Sequence, residues 1–334
     1  MTKIALTGIK PTGTPHIGNY LGMIRPALEL AHSYRALYFI ADYHALTTER
    51  DPERLRRQTY EVAATWLALG LDPREVIFFR QSDIPEVFEF TWILSCVTAK
   101  GSLNRAHAYK AIVEENIRQG RNTDDTINAG LFSYPVLMAA DILLFGTHVV
   151  PVGQDQKQHV EIARDIASGF NSHYGNVLTI PKALIRKDVM SVPGVDGRKM
   201  SKSYRNTIPI FADDKFIRKQ VMRIVTDSKP PEAPKNPETC NLFSLYRHFS
   251  PPEDLEEARM LYLNGGAKYS DIKNKLIVLL LEKFKEGRRT YEVLLNDPAS
   301  IEKILKQGAT AARAMAKPVL AYVRLSIGID RSDL

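Results

Sequence analysis

Cysteine is nearly absent from the chain. Its 334 residues include two, Cys96 and Cys240, far apart and outside any Cys-x-x-Cys pattern. That argues against a disulfide framework or a cysteine-based zinc centre and fits a reducing, cytoplasmic setting. Long apolar runs are missing as well: none reaches the ~18 residues a membrane span needs. The amino terminus has no basic segment leading into an apolar core, so no secretory leader is expected. No internal repeat, low-complexity tract or convincing Ser-His-Asp arrangement is visible. What is present is ordinary globular composition, 44% hydrophobic and 25% charged, at a length that allows a full core and two domains. The net charge of +7 and the pI near 9.2 point to a polyanionic partner.

The chain is organised around Lys10-Pro11-Thr12-Gly13-Thr14-Pro15-His16-Ile17-Gly18-Asn19. An apolar run, Ile4–Thr7, precedes it. Ile17, Tyr20, Leu21, Ile24 and Leu28 follow at helical spacing. The pattern predicts strand, glycine turn, helix, which aims backbone N–H groups and a positive dipole end at an anion. Gly13 and Gly18 allow a phosphate to approach the backbone closely. His16 and Asn19 add neutral donors at the same mouth. An ordinary βα turn reads the same way, so this stretch alone does not decide.

A second stretch, Arg198-Lys199-Met200-Ser201-Lys202-Ser203, brings ammonium groups and hydroxyls together after two glycine turns. Alone, it reads as a solvated basic loop. As a pair, the two stretches resemble the signature motifs of class I aminoacyl-tRNA synthetases. The second is intact; the first carries Asn19 where the family has a final histidine.

Between them the pattern alternates. Leu37–Ala41 and Val76–Phe79 read as strands, and helices are expected from Pro52 to Gly70 and from Pro85 through Cys96. This predicts an α/β fold: a Rossmann-like, doubly wound parallel sheet with ligands beyond the carboxyl ends of the strands. Residues 101–125 turn polar and read as an insertion, in which Lys110 is placed to swing over a triphosphate. Ile127–Phe145 is a mostly apolar helix with Tyr134, Met138 and Asp141 on one face. A carboxylate there needs donors. It is either a structural acid or an acceptor for a ligand donor such as an indole N–H. His148–Val152 is the next strand, leading through Gly153-Gln154-Asp155-Gln156 into a helix from Lys157. After residue 205 the chain reads as amphipathic helices rich in Lys and Arg. The expected domains are therefore 1–205 and 206–334, with the last helix packing back on the first.

The resemblance covers nearly the whole chain and is closest to the bacterial tryptophanyl branch. The stretches that carry it are Gly18–Gly22, Asp42–Thr47, Tyr134–Leu144, Val150–His159 and Lys199–Ser203. It implies that Asp141 binds the indole nitrogen with Leu6, His44, Met138, Val150 and Val152 around the ring, and that Tyr134 and Gln156 lie near the ammonium. It implies ATP contacts from Lys10, Pro11, Thr12, His16, Gly18, Asn19, Gly153, Gln154, Asp155, Val189 and the loop Lys199, Met200, Ser201, Lys202, Ser203. Catalysis then falls to Lys199, Ser201, Lys202, His16, Asn19 and Lys110. Lys10, Leu6 and Gln154 depart from the family's usual Gln, Phe and Glu.

The implied reaction has two steps. Tryptophan's carboxylate, already ionised at neutral pH, attacks the α-phosphorus of ATP, held with Mg²⁺ and no fixed protein metal site. The aminoacyl group then passes to tRNA(Trp). A homodimer is implied, with Phe88–Cys96 and Leu131–Phe145 as seam candidates, and no membrane partner. The rival readings are a tyrosyl enzyme of the same fold, a small-molecule nucleotidyltransferase, and a weakly catalytic paralogue that senses tryptophan or binds RNA.

Overall fold

The computed structural model describes residues 2–153, 156–185 and 192–329. Strand β1 (Ile4–Ile9) runs into the glycine turn. The chain enters helix at α1 (Ile17–Asn19), passes one wide π turn at Tyr20–Ile24 and continues as α2 (Arg25–Ala31). There follow β2 (Arg35–Ile40), α3 (Asp42–Ala45), α4 (Pro52–Ala68), β3 (Ile77–Arg80) and α5 (Glu86–Val97). Asp51 caps α4, accepting from the backbone N–H groups of Glu53 and Arg54, and Pro52 opens it. The polar stretch contains two helices, α6 (Lys100–Asn104) and α7 (His107–Arg118). Next come α8 (Ala129–Leu143), β4 (Val149–Pro151), α9 (Lys157–Tyr174) and β5 (Lys182–Leu184), the last a strand that the sequence pattern did not predict.

All five strands are parallel, in the order β3-β2-β1-β4-β5. This is the expected doubly wound sheet. Its direction of growth reverses at β1, which opens a crevice between the carboxyl ends of β1 and β4. Side chains alternate across the pleat. Ala36, Tyr38, Ile40 and Phe78 enter one core, shared with α4 and the helix after the glycine turn. Leu37, Phe39 and Phe79 enter a second, shared with α5, α8 and α9. Val136, Ala139, Ala140 and Ile142–Phe145 are buried in that second core. Ala139–Phe145 is thus covered by its own chain, while Leu131–Tyr134, Leu137 and Met138 stay partly exposed.

The remainder is helical: α10 (Asp214–Met222), α11 (Asn241–Tyr246), α12 (Pro252–Asn264), α13 (Tyr269–Lys283), α14 (Lys285–Asn296) and α15 (Pro298–Ser326). The first core continues into these helices through Leu242, Tyr246, Leu276 and Phe284. α14 lies on α4, and α15 returns along the edge strand β3. The approach of α15 is close: a Cβ on Gly308 would stand 1.8 Å from the carbonyl oxygen of Phe78. Ion pairs fix it further, from Arg80 to Glu302 at 2.7 Å, Arg313 to Glu86 at 2.9 Å, and Arg324 to Glu89. A covered edge offers no unpaired strand to another chain. Among the described residues, no helix is long and apolar enough to cross a membrane.

Candidate active site

The glycine turn is shaped by its own residues. Gly13 has φ +101°, a region that L side chains avoid. His16 caps α1: its Nδ1 accepts from the backbone N–H of Asn19 at 3.3 Å, and Asn19 Oδ1 accepts from the backbone N–H of His16 at 3.1 Å. With Nδ1 accepting, a neutral ring carries its proton on Nε2. Burial, and then the nearby Lys202, push the imidazole down to about 4, so the ring is neutral at pH 7.

The second stretch lies on the first. Met200 is buried, and its Sδ accepts from the backbone N–H of Gly18 at 3.3 Å. A Cβ on Gly18 would stand 3.0 Å from the His16 ring and 3.2 Å from Met200 Cβ, a tight fit on both sides. Lys202 Nζ donates to the carbonyl oxygens of Gly13 at 2.6 Å and Thr12 at 3.2 Å. Burial draws its ammonium down to about 8, against the opposing pull of Glu61. Asn206 fastens the loop from behind: its Oδ1 accepts from the backbone N–H of Ser201 at 2.8 Å, and its Nδ2 donates to Asp196 and to the carbonyl of Lys199. The chain then bridges the first motif directly, with Ile17 N–H donating to the Ile208 carbonyl at 2.9 Å and His16 paired antiparallel with Pro209. The sequence reading did not single out Asn206 or Ile208. A polar residue straight after a signature loop was the only available signal.

The Asp141 slot is built by three elements. Asp141, on α8, is 3% exposed. Its Oδ2 meets His44 Nε2 of α3 at 2.8 Å, and Gln81 Nε2, just past β3, donates to both oxygens at 2.8 and 2.9 Å. Burial raises the carboxyl's pKa, while His44 and Gln81 oppose it. The donors are thus side chains rather than backbone N–H groups. A carboxylate has about four acceptor positions, and these contacts leave one for a ligand donor. Gln81 is fully buried, with Oε1 unpartnered among the described residues. It was passed over in the sequence, where its one clue is its place at a strand's carboxyl end. Tyr134 hydrogen-bonds His159 and presents its ring to His44 edge-on at 6.2 Å. Leu6 and Val150 are buried in the second core, and Met138 and Val152 pack against it.

The other expected residues are placed as follows. Lys10 Nζ donates to the hydroxyls of Thr47 at 3.0 Å and Thr48 at 3.3 Å, and burial lowers its pKa. Pro11 is buried, while Gly153, Gln156, Lys199 and Ser203 are exposed. Gln156 sits at the amino end of α9, its N–H on the Gly153 carbonyl. Lys110 is exposed on α7, paired with Glu114 at 3.6 Å. Gln154, Asp155 and Val189 lie outside the described residues.

A parallel sheet that reverses at β1, with a Lys-Met-Ser-Lys-Ser loop seated on the turn beyond that strand, is the arrangement of class I aminoacyl-tRNA synthetases. The family model for tRNA synthetases class I (W and Y) matches residues 2–285, and the chain belongs to that family. Within it, the chain is 50% identical over 334 residues to the tryptophan–tRNA ligase of Pseudomonas aeruginosa, covering 98% of this chain and 74% of that one. Among solved structures, the tryptophanyl-tRNA synthetase of Campylobacter jejuni, complexed with ADP and tryptophan, matches at TM-score 0.88 and 45% identity, over 97% of this chain and 99% of that one. The tryptophanyl-tRNA synthetase of Mycoplasma pneumoniae matches at TM-score 0.80 and 28% identity, over 99% of both.

Proposed function

We infer that the chain activates L-tryptophan with ATP to tryptophanyl-adenylate and passes the tryptophanyl group to tRNA(Trp). One observation carries the assignment of residues: Lys202 and Met200 rest on Gly13 and Gly18 across more than 180 residues of sequence. ATP enters as its magnesium complex, a substrate. Its triphosphate lies over the glycine turn, where the neutral Nε2–H of His16 supplies a donor; the backbone N–H groups of α1 are already taken by Ile208, Met200 and His16. Asn19, Lys10, Pro11, Thr12, Gly153 and the Lys199–Ser203 loop complete the nucleotide's surroundings.

The first step forms an O–P bond from tryptophan's carboxylate to the α-phosphorus and breaks the bond to pyrophosphate. The nucleophile is ionised at neutral pH, so no general base is needed. The work is alignment and neutralisation of the charge that builds on pyrophosphate, which Lys199 and Lys202 perform with Ser201 as donor. Asp141 accepts the indole N–H at its remaining position, with Met138, Val150, Val152, Leu6 and His44 around the ring. Tyr134 and Gln156 face the ammonium. In the second step the adenylate's carbonyl carbon is transferred to a ribose hydroxyl of the terminal adenosine, and AMP leaves.

Residues 206–334 form the part that takes the tRNA's anticodon region, through contacts that are largely to phosphate. The active form is a cytoplasmic homodimer whose seam includes α5, which exposes Phe88, Trp92 and Cys96. ATP–pyrophosphate exchange measured across the twenty amino acids tests the function. Exchange with tryptophan and not tyrosine is expected; exchange with tyrosine alone, or with neither, overturns it.

A further inference from the structure

The two side chains that hold Asp141 come from elements too short to hold themselves. His44 sits on α3, which has four residues. Gln81 opens a single 3-10 turn, Gln81–Asp83, closed by the Ile84 N–H on the Gln81 carbonyl at 3.0 Å. Helical segments of this length do not persist unaided. Their direction therefore comes from what they are tied to. They are tied to each other: the Asp42 carboxylate, at the start of α3, accepts from the Ser82 N–H at 3.0 Å and the Tyr43 N–H at 3.1 Å. The sheet brings them together, since Ile40 of β2 is in register with Arg80 of β3.

Arg80, the residue before Gln81, joins this frame to the rest of the molecule. Its Nη2 donates to Asp83 Oδ1 at 3.0 Å, spanning the turn. Its Nη1 donates to Glu302 Oε1 at 2.7 Å and its Nη2 to Oε2 at 3.3 Å, so the guanidinium fork meets both oxygens. Glu302 lies on α15, 222 residues away in sequence. Tyr60 of α4 donates to the same Oε1 at 3.0 Å. The Arg80 and Glu302 side chains are only 19% and 22% exposed. The other ties of α15 differ on both counts. Arg313 and Arg324 have side chains 40% exposed, and they end on α5, at Glu86 and Glu89, rather than on the turn.

We propose that Arg80 and Glu302 are positioning residues for the tryptophan slot. Their ion pair anchors the Gln81–Asp83 turn to α15 and, through Asp42, the start of α3. Gln81 and His44 then hold the Asp141 carboxylate in the direction of the indole N–H. The proposal rests on the reading of Asp141 as the indole acceptor. Both residues act through Gln81 and His44 rather than on the ligand. The consequence is confined to one atom of that ligand. Loosening the clasp lets the acceptor drift from the indole N–H, and a hydrogen bond weakens steeply once misaligned. The apolar walls around the rest of the ring stay where the second core holds them.

The experiment compares dissociation constants, by equilibrium dialysis, for L-tryptophan and for its benzothienyl analogue, which has sulfur where the indole has N–H. The proteins are wild type, Glu302→Gln, Arg80→Lys and Arg313→Gln, each shown to be folded by thermal unfolding. Glu302→Gln keeps the shape and removes the charge; Arg80→Lys keeps the charge and loses the planar fork. Both should lower the preference for tryptophan over the analogue at least about fivefold, with the analogue's own constant within about twofold of wild type. Arg313→Gln, which frees α15 from α5 instead, should keep the wild-type preference. An unchanged preference in Glu302→Gln and Arg80→Lys overturns the proposal. Equal weakening of both ligands assigns the clasp to packing alone and also overturns it, as does the same loss of preference in Arg313→Gln. Amide hydrogen exchange of the ligand-free protein is the second arm. The peptide containing Ser82 should exchange at least about tenfold faster in Glu302→Gln than in wild type. Unchanged exchange there overturns the proposal. A wild type with no preference for tryptophan sinks the reading of Asp141, while the Ser82 exchange still decides whether the clasp holds the turn.

Discussion

Asp141 is a buried acid whose acceptor positions are nearly filled before any ligand arrives. His44 and Gln81 hold it from two other elements, so its oxygens are hydrogen-bonded and its direction is fixed. Asp141→Asn removes acceptor capacity and sets an NH₂ against the NH₂ of Gln81. A hydrogen bond to a charged group is worth about 1.5–3 kcal/mol. Tryptophan-dependent kcat/KM should therefore fall about 10- to 150-fold, with KM for ATP unchanged; an unaltered KM for tryptophan would mean that the acid does not read the indole. Lys202→Ala acts on the other substrate. Adenylate formation should slow at least about 100-fold while tryptophan binding survives, because what is lost is a cation at the developing pyrophosphate. Near-normal exchange in that variant contradicts the role. The sequence pointed to Asp141 through its position on an apolar helical face. It could not point to Gln81, because that role exists only once α3, α8 and the end of β3 have been brought together.

At the scale of elements, the strands and most helices were legible because period-2 and period-3.6 apolar patterns are local signals. β1, β2, β3 and the helix after the glycine turn lie within a few residues of where the pattern placed them. β5 was not legible: it has three residues and, among the described residues, pairs with β4 alone. The tie from Ile208 to Ile17 left no local pattern either, since it joins segments about 190 residues apart. α15 shows how such long-range contacts constrain single positions. Gly308→Ala places a methyl group inside the van der Waals radius of the Phe78 carbonyl oxygen, so α15 must lift from β3. A destabilisation of about 1–3 kcal/mol is expected. Gly169→Ala on α9 is the contrast: nothing lies within 4 Å of the new carbon, and the helix gains up to about 1 kcal/mol. Thermal unfolding of the two variants should shift in opposite directions. A shared direction would mean that α15 does not approach β3 as closely as described.

For the molecule as a whole, the net charge of +7 and the exposed face of α5 concern its partners rather than its chemistry. Phosphate contacts release counterions, so KM for tRNA should rise steeply between 50 and 200 mM salt, while ATP–pyrophosphate exchange, which involves no tRNA, changes far less. Phe88, Trp92 and Cys96 are spaced one turn apart on α5, and Trp92 is 71% exposed. Single exposed apolar side chains are ordinary, but three in a row on one helix form a patch. Phe88 packs against Tyr43, edge to face at 4.5 Å, at one end of the patch. A twofold seam brings the same residue of both copies close to its axis. Trp92→Glu then removes an aromatic anchor from each side and sets two carboxylates near one another, whereas a solvated patch would accept the change without consequence. Sedimentation equilibrium should show wild type as a dimer at micromolar concentration and Trp92→Glu weakened at least about 100-fold, the loss of a typical interface hot spot. A wild-type monomer, or a variant that dimerises as well as wild type, would take α5 out of the seam and leave its apolar face to some other partner.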